Sequence, residues 1–270
     1  MASRHSAFYS PLIATIARGF PATYSVLGEG QRSQDLIREG VVDVMQSAVS
    51  SNWKPMERGE GPLPVHFALI NRRDGFFFAA RAPEPDFTWK KLEGRTLWAD
   101  RGGQPFAMLR YAVAHNGVDW EKIRLVDGGV EGGDADYIHR QAPGPGVHVA
   151  SVGASMPEVA FSTLCCSRDF LGTAACGEFL EAYTSTRAWV RTAAPREVAE
   201  AEASFFAGVG LDELAAAVAA YQALGTWSGS TEITESLYEQ ALNVFEFSGG
   251  IARRHPRAAV CAIASGNGCR

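Results

Sequence analysis

Three groups of residues in this 270-residue chain have types and spacings that could do chemistry. The first is Asp100-Arg101-Gly102-Gly103-Gln104, lying between an apolar strand, Thr96 to Ala99, and an amphipathic helix. Pro105 suits the first helical position, where its missing N–H costs nothing. Phe106, Leu109 and Val113 recur at helical spacing, Gly117 stops the helix, and Ile123 to Val126 starts the next strand. Such a turn leaves backbone N–H groups at a helix N-terminus, aimed at a sheet edge where small polar or anionic ligands bind. A plain βαβ turn fits the same residues equally well. The second group is the adjacent pair Cys165 and Cys166. A thiol nucleophile needs a base within hydrogen-bond reach, and the nearest histidines upstream are His148 and His139. The third is Asp134, Asp136 and His139. On a strand the two aspartates share one face and the histidine the other, so no metal site is expected.

No GxSxG, HExxH or Walker loop is present, so no catalytic residue is assigned and no cofactor is expected. The net charge of −5, with no basic block, argues against a nucleic-acid partner. The hydrophobic share of 46% supports one large domain or two modest lobes, without a run long enough to span a membrane. The first twenty residues lack the pattern of an export signal. Five cysteines give an odd count; buried thiols are the expected state, and a Cys176–Cys261 disulfide is an open alternative.

The elements that must position these groups alternate. Helices are expected from Ser10 to Arg18 and Gln34 to Glu39, and strands at Ala22–Leu27, Val42–Ser47, His66–Asn71 and Phe76–Arg81. Trp53 to Pro64 reads as an exposed polar excursion. Further strands are expected at Ala135–His139 and Val147–Val152. Four helices follow: Gly177–Ala193, Pro195–Gly208, Leu211–Leu224 and Thr231–Phe247. Glu39-Gly40-Val41-Val42-Asp43-Val44 and Glu131-Gly132-Gly133-Asp134-Ala135-Asp136 both carry Gly-x-x-Asp where a strand begins, an echo that fits two similar lobes or a chance match. Ser6, Phe8 and Tyr9, ahead of a Pro-initiated helix, and Gln46 and Ser47, at a strand end, are candidate ligand contacts. Gly102, Gly103, Gln104 and Gln141 face them from the middle of the chain, so the candidate polar groups are all uncharged.

Over nearly its whole length the chain resembles the type 2 periplasmic substrate-binding proteins of the nitrate, sulfonate, taurine and thiamine-pyrimidine group. The segments that carry this are His5 to Leu12, Leu36 to Asp43, Lys91 to Arg95, Ala114 to Val126, Ser167 to Leu171 and Phe179 to Tyr183. The resemblance implies an α/β fold of two lobes with a ligand cleft between them. Lobe 1 would be residues 1–78 and 162–270, and lobe 2 residues 79–161. The crossings would lie near Phe76–Arg81 and Pro157–Phe161, with the helical tail packed on lobe 1. It implies a solute-binding component of an ABC uptake transporter, with a small-molecule ligand and a permease as partners and no enzymatic activity. The location would be periplasmic or membrane-anchored outside the cytoplasm if an export signal is missing from this chain, and cytoplasmic otherwise. An enzyme on the same scaffold, pyrimidine-synthase-like or desulfinase-like, and a cytoplasmic ligand sensor are the alternatives. The pyrimidine synthases carry a cysteine-rich run and a lysine for pyridoxal phosphate; Leu164-Cys165-Cys166-Ser167, Lys54 and His66 match these poorly.

Overall fold

The computed structural model describes residues 1–127, 132–144, 146–262, 264, 265, 268 and 269. Its main strands are β1 (Met45–Ser47), β2 (Val65–Asn71), β3 (Phe77–Ala80), β4 (Thr96–Trp98), β5 (Arg124–Val126), β6 (Tyr137–Arg140), β7 (Val147–Ser151) and β8 (Ser162–Cys166). They form one sheet of order β1-β8-β2 and another of order β5-β4-β6-β3-β7. The first is antiparallel throughout; in the second, β4 is parallel to β5 and β6 while β3 is antiparallel to β6 and β7. In β2 and β8 every residue is buried, as expected of strands covered on both faces. The chain therefore passes between the sheets twice, through Arg72–Phe76 and through Val152–Phe161. The first crossing lies ahead of the Phe76–Arg81 read from sequence, because Phe77 already pairs with Arg140 and Ser151.

The helices are α1 (Ser10–Ala17), α2 (Ser33–Arg38), α3 (Trp53–Glu57), α4 (Gly103–His115), α5 (Arg168–Leu171), α6 (Ala174–Thr192), α7 (Pro195–Glu202), α8 (Leu211–Leu224), α9 (Glu235–Phe247) and the short α10 (Arg257–Val260). Thr234, not Thr231, caps α9, with its hydroxyl accepting from the Leu237 N–H. The expected exposed excursion is partly helix α3, because Trp53 is buried and donates to the Tyr238 hydroxyl at 2.9 Å. Of the expected strand Ala22–Leu27, only Val26 bridges, to Ala2. The second copy of the glycine–aspartate echo begins at Glu131, outside the described residues.

The helical tail does more than cover the first sheet. Helices α6 and α7 pack on α1, but the Tyr221 hydroxyl on α8 accepts from the Ala142 N–H at 2.7 Å. Phe247 of α9 meets the Tyr111 ring of α4 at 5.3 Å. The tail therefore contacts the elements of both sheets.

The crossings are set by two close approaches. A Cβ on Gly153 would lie 2.1 Å from the Asp74 carbonyl oxygen, so the two crossing segments touch backbone to backbone there. A Cβ on Gly75 would lie 2.2 Å from the Phe8 ring. Gly153→Ala should therefore push the crossings apart and destabilise the fold by roughly 2–4 kcal/mol, measured by urea denaturation.

Two carboxyls are buried in this framework. Asp74 accepts from the Phe76 N–H at 2.7 Å, and Glu202 accepts from the Ser10 hydroxyl at 2.7 Å. Burial raises each to about 8. Between the usual carboxylate range and about pH 8 the folded state keeps protons that the unfolded chain has released. Stability should then fall as pH rises through that window. Asp74→Asn, which cannot ionise, should lose less melting temperature than the wild type between about pH 5 and about pH 8 by scanning calorimetry.

Candidate functional site

The cavity of interest, about 680 Å³, lies between the two sheets. One wall is built from Ser3 and Arg4, Tyr9, the end of β1 with Gln46 and Ser47, and the turn through Ser50 and Ser51. The facing wall is the β4–α4 turn, from Asp100 to Ala107. The volume suits a small organic ligand.

Of the residues expected from sequence, Tyr9, Gln46, Ser47, Gly102, Gly103 and Gln104 line this cavity together. Ser6, Phe8 and Gln141 are not part of its wall. Ser6 donates to the Ala142 carbonyl at 3.0 Å and its hydroxyl caps the short turn Ala7–Tyr9. The Phe8 ring fills the space under Gly75 and packs on Phe161 and Tyr221. Gln141 donates to the Tyr9 hydroxyl at 3.5 Å. These three hold the wall from behind.

The glycine turn works differently from the sequence reading. Gly103 takes φ of +60° while Gly102 stays at −96°. The Gly102 N–H donates to Asp100 Oδ1 at 2.9 Å, so it is already used. Gly103 and Gln104 open α4, and the first N–H groups of a helix have no intrahelical acceptor. Both residues line the cavity, so the positive end of the helix lies at its wall. Pro105 sits at the third helical position rather than the first.

Gln104 itself is committed to the fold. Its Oε1 accepts from the Ser50 hydroxyl at 2.9 Å, and its Nε2 donates to the Ala160 carbonyl at 3.0 Å. It ties α4 to the opposite wall and to the return crossing. Ser47 donates to Ser51 Oγ at 3.1 Å, leaving hydroxyls on the cavity side that can turn toward a ligand. The Gln46 Oε1 accepts from the Ser3 N–H at 2.9 Å.

The sequence reading missed the charges. Arg4, Lys54, Arg101 and Arg110 line the cavity against the single carboxylate Asp100. Arg4 pairs with Asp100 across the gap, and Arg101 pairs with Asp127 at 2.7 Å. Arg110 lies over the Trp120 ring at 5.4 Å. Lys54 has no ion-pair partner among the described residues. The arginine in Asp100-Arg101-Gly102 was visible, but Arg4 and Lys54 reach the cavity only through tertiary folding.

The other chemical candidates lie elsewhere. Cys165 and Cys166 are buried in β8, outside the cavity wall, and burial pushes the Cys165 thiol up to about 12. His139 is buried, stacked on Phe76 at 4.5 Å between ring centroids, and held down near 3 by burial. Asp134 pairs with Arg81, and Asp136 accepts from the Thr96 N–H at 2.7 Å. Among the described residues no group of three or more His, Cys, Asp or Glu could hold a metal.

No protein-family profile and no curated protein sequence matches the chain. Solved structures do. The periplasmic aliphatic sulphonate binding protein SsuA from Escherichia coli is 13% identical, with 92% of each chain covered and a TM-score of 0.69. The ligand-binding component of an ABC-type import system from Staphylococcus aureus, with zinc bound, is 10% identical, with 95% of this chain and 93% of that chain covered and a TM-score of 0.69. The desulfurization enzyme DSZB is 11% identical, with 97% and 94% covered and a TM-score of 0.53. The chain thus has the α/β fold of the periplasmic binding proteins, the fold implied by the resemblance in its sequence. Among the described residues no helix is long and apolar enough to cross a membrane.

Because Gln104 links three elements, Gln104→Ala should cost roughly 1–2 kcal/mol of stability, read from denaturant midpoints. A full wild-type midpoint in that variant would remove the cross-cavity tie from the account.

Proposed function

We propose that this chain is the solute-binding component of an ABC uptake system, taking a small organic molecule with an oxyanionic end, of the sulfonate class. One observation carries the reading: the open N-terminus of α4 faces the serine-lined end of β1 across a cavity of about 680 Å³. The Gly103 and Gln104 N–H groups would receive the anion, with Ser47 and Ser51 hydroxyls opposite. Lys54 and the arginines raise the local potential for an anion. The Tyr9 and Phe106 rings offer apolar contact for the rest of the ligand.

The moving units of this reading are lobe 1, residues 1–78 and 162–270, and lobe 2, residues 79–161, hinged at the crossings. Arg4 with Asp100 and Gln104 with Ser50 span the gap between them. A location outside the cytoplasm and a permease partner go with this function. In this reading the ligand is bound and released chemically unchanged. Sulfonates, sulfinates, nitrate and pyrimidines form the ligand panel. A binding ligand at a hundredfold excess over its Kd should stabilise the protein by about 2.7 kcal/mol and be recovered intact by mass spectrometry. Product formation would replace binding with enzymatic activity. Failure of every anion in the panel, with stabilisation by a neutral pyrimidine alone, would overturn the sulfonate assignment.

A further inference from the structure

We propose that Cys166 and Cys176 form a disulfide, a modification site that ties the end of β8 to the first turn of α6 when the protein folds in the presence of a small-molecule disulfide. The placement of the two residues carries this. Cys166 is the last residue of β8 and Cys176 is the third residue of α6. The short helix α5 and the Gly172–Thr173 turn fold the chain back, so both thiols enter the same core cluster. The two thiols are hydrogen-bonded to each other. Cys165 is adjacent in sequence but points to the other face of the strand, into a separate cluster with Ile37 and Met45. Cys261 lies beside β2, where its backbone forms an isolated parallel bridge with His66.

Cys176 is also the better attacking thiol. It lies in the first turn of a 19-residue helix whose cap, Thr173, accepts from the Cys176 N–H at 3.2 Å. A helix N-terminus favours the thiolate. The contact with Cys166 acts in the same direction and lowers the Cys176 thiol below its ordinary value.

The chemistry balances with an ordinary oxidant. The Cys176 thiolate attacks one sulfur of a disulfide RSSR, the S–S bond breaks, and RS⁻ leaves and takes up a proton. Cys166 then gives up its proton and attacks the Cys176 sulfur, expelling the second RS⁻, which is protonated in turn. Two protein thiols and RSSR become one protein disulfide and two RSH, with two electrons passing to the oxidant. Both thiols are nearly fully buried, so oxidation should be faster during refolding than in the folded protein.

The experiment refolds the full chain in oxidised and reduced glutathione, then reads intact mass and a non-reduced peptide map. The expected product is lighter by about 2 Da, with Cys166 linked to Cys176. Closing so short a loop should raise the melting temperature by about 5 °C, reversibly with reductant. Cys165→Ser and Cys261→Ser should keep the link, and Cys176→Ser should lose it. Should Cys176→Ser fail to fold, the wild-type map still decides. An unchanged mass, or a link through Cys165, Cys261 or Cys269, overturns the proposal. The readouts involve no ligand, so this result is independent of the proposed solute binding.

Discussion

The backbone contact between Gly153 and Asp74 is the constraint on which the rest of the arrangement depends. Two segments cross between the sheets, and their separation decides where every cavity-lining element ends. No side chain fits between them, so the spacing is set by backbone van der Waals contact, which is stiff. The second close approach, Gly75 under the Phe8 ring, fixes the turn that carries Tyr9 into the cavity wall. The Tyr221 hydroxyl then joins the first crossing to the second sheet, donating to the Gly75 carbonyl at 3.3 Å while accepting from Ala142. A residue of the helical tail thus secures a junction more than a hundred positions away in sequence.

The polar groups of the cavity divide into those already satisfied and those still open. Gln104, Gln46 and the Gly102 N–H spend their hydrogen bonds within the protein. That is the usual state of buried amides, since an unpaired one costs more than a bond returns. What remains is the helix end at Gly103 and Gln104, rotatable serine hydroxyls, and cations around the rim. Around this cavity Arg4, Lys54, Arg101 and Arg110 stand against the carboxylate of Asp100. Asp100 both occupies the Gly102 N–H and holds Arg4, so it fixes the turn as well as offsetting the positive charge.

Local patterns in the sequence were sufficient for most of the α/β alternation. Strands β2, β3, β7 and helix α8 fall within about a residue or two of their expected positions, because each is a short run of matched period bounded by glycine, proline or charge. The β4–α4 turn was legible for the same reason: glycines before an amphipathic run have few other uses. Trp53 defeated the local reading because its burial comes from Tyr238 and Phe245, nearly two hundred positions on. Ala22–Leu27 failed because β-branched and aromatic composition makes a strand only where a partner strand runs alongside it, and only Val26 has one.

For the site, sequence determined which residue types stand at the ends of β1 and β4, and six of the nine expected contacts meet around one cavity. Only the tertiary structure decided that Ser6, Phe8 and Gln141 serve as backing, that Gln104 is a tie, and that Arg4 and Lys54 bring charge. The physical reason is that a side chain's role depends on which partners satisfy it. Hydrogen bonds such as Gln104 to Ala160, and ion pairs such as Arg4 with Asp100, join positions with no fixed spacing in the chain. Periodicity reports which face of an element is buried; it carries no information about what the other elements place against that face.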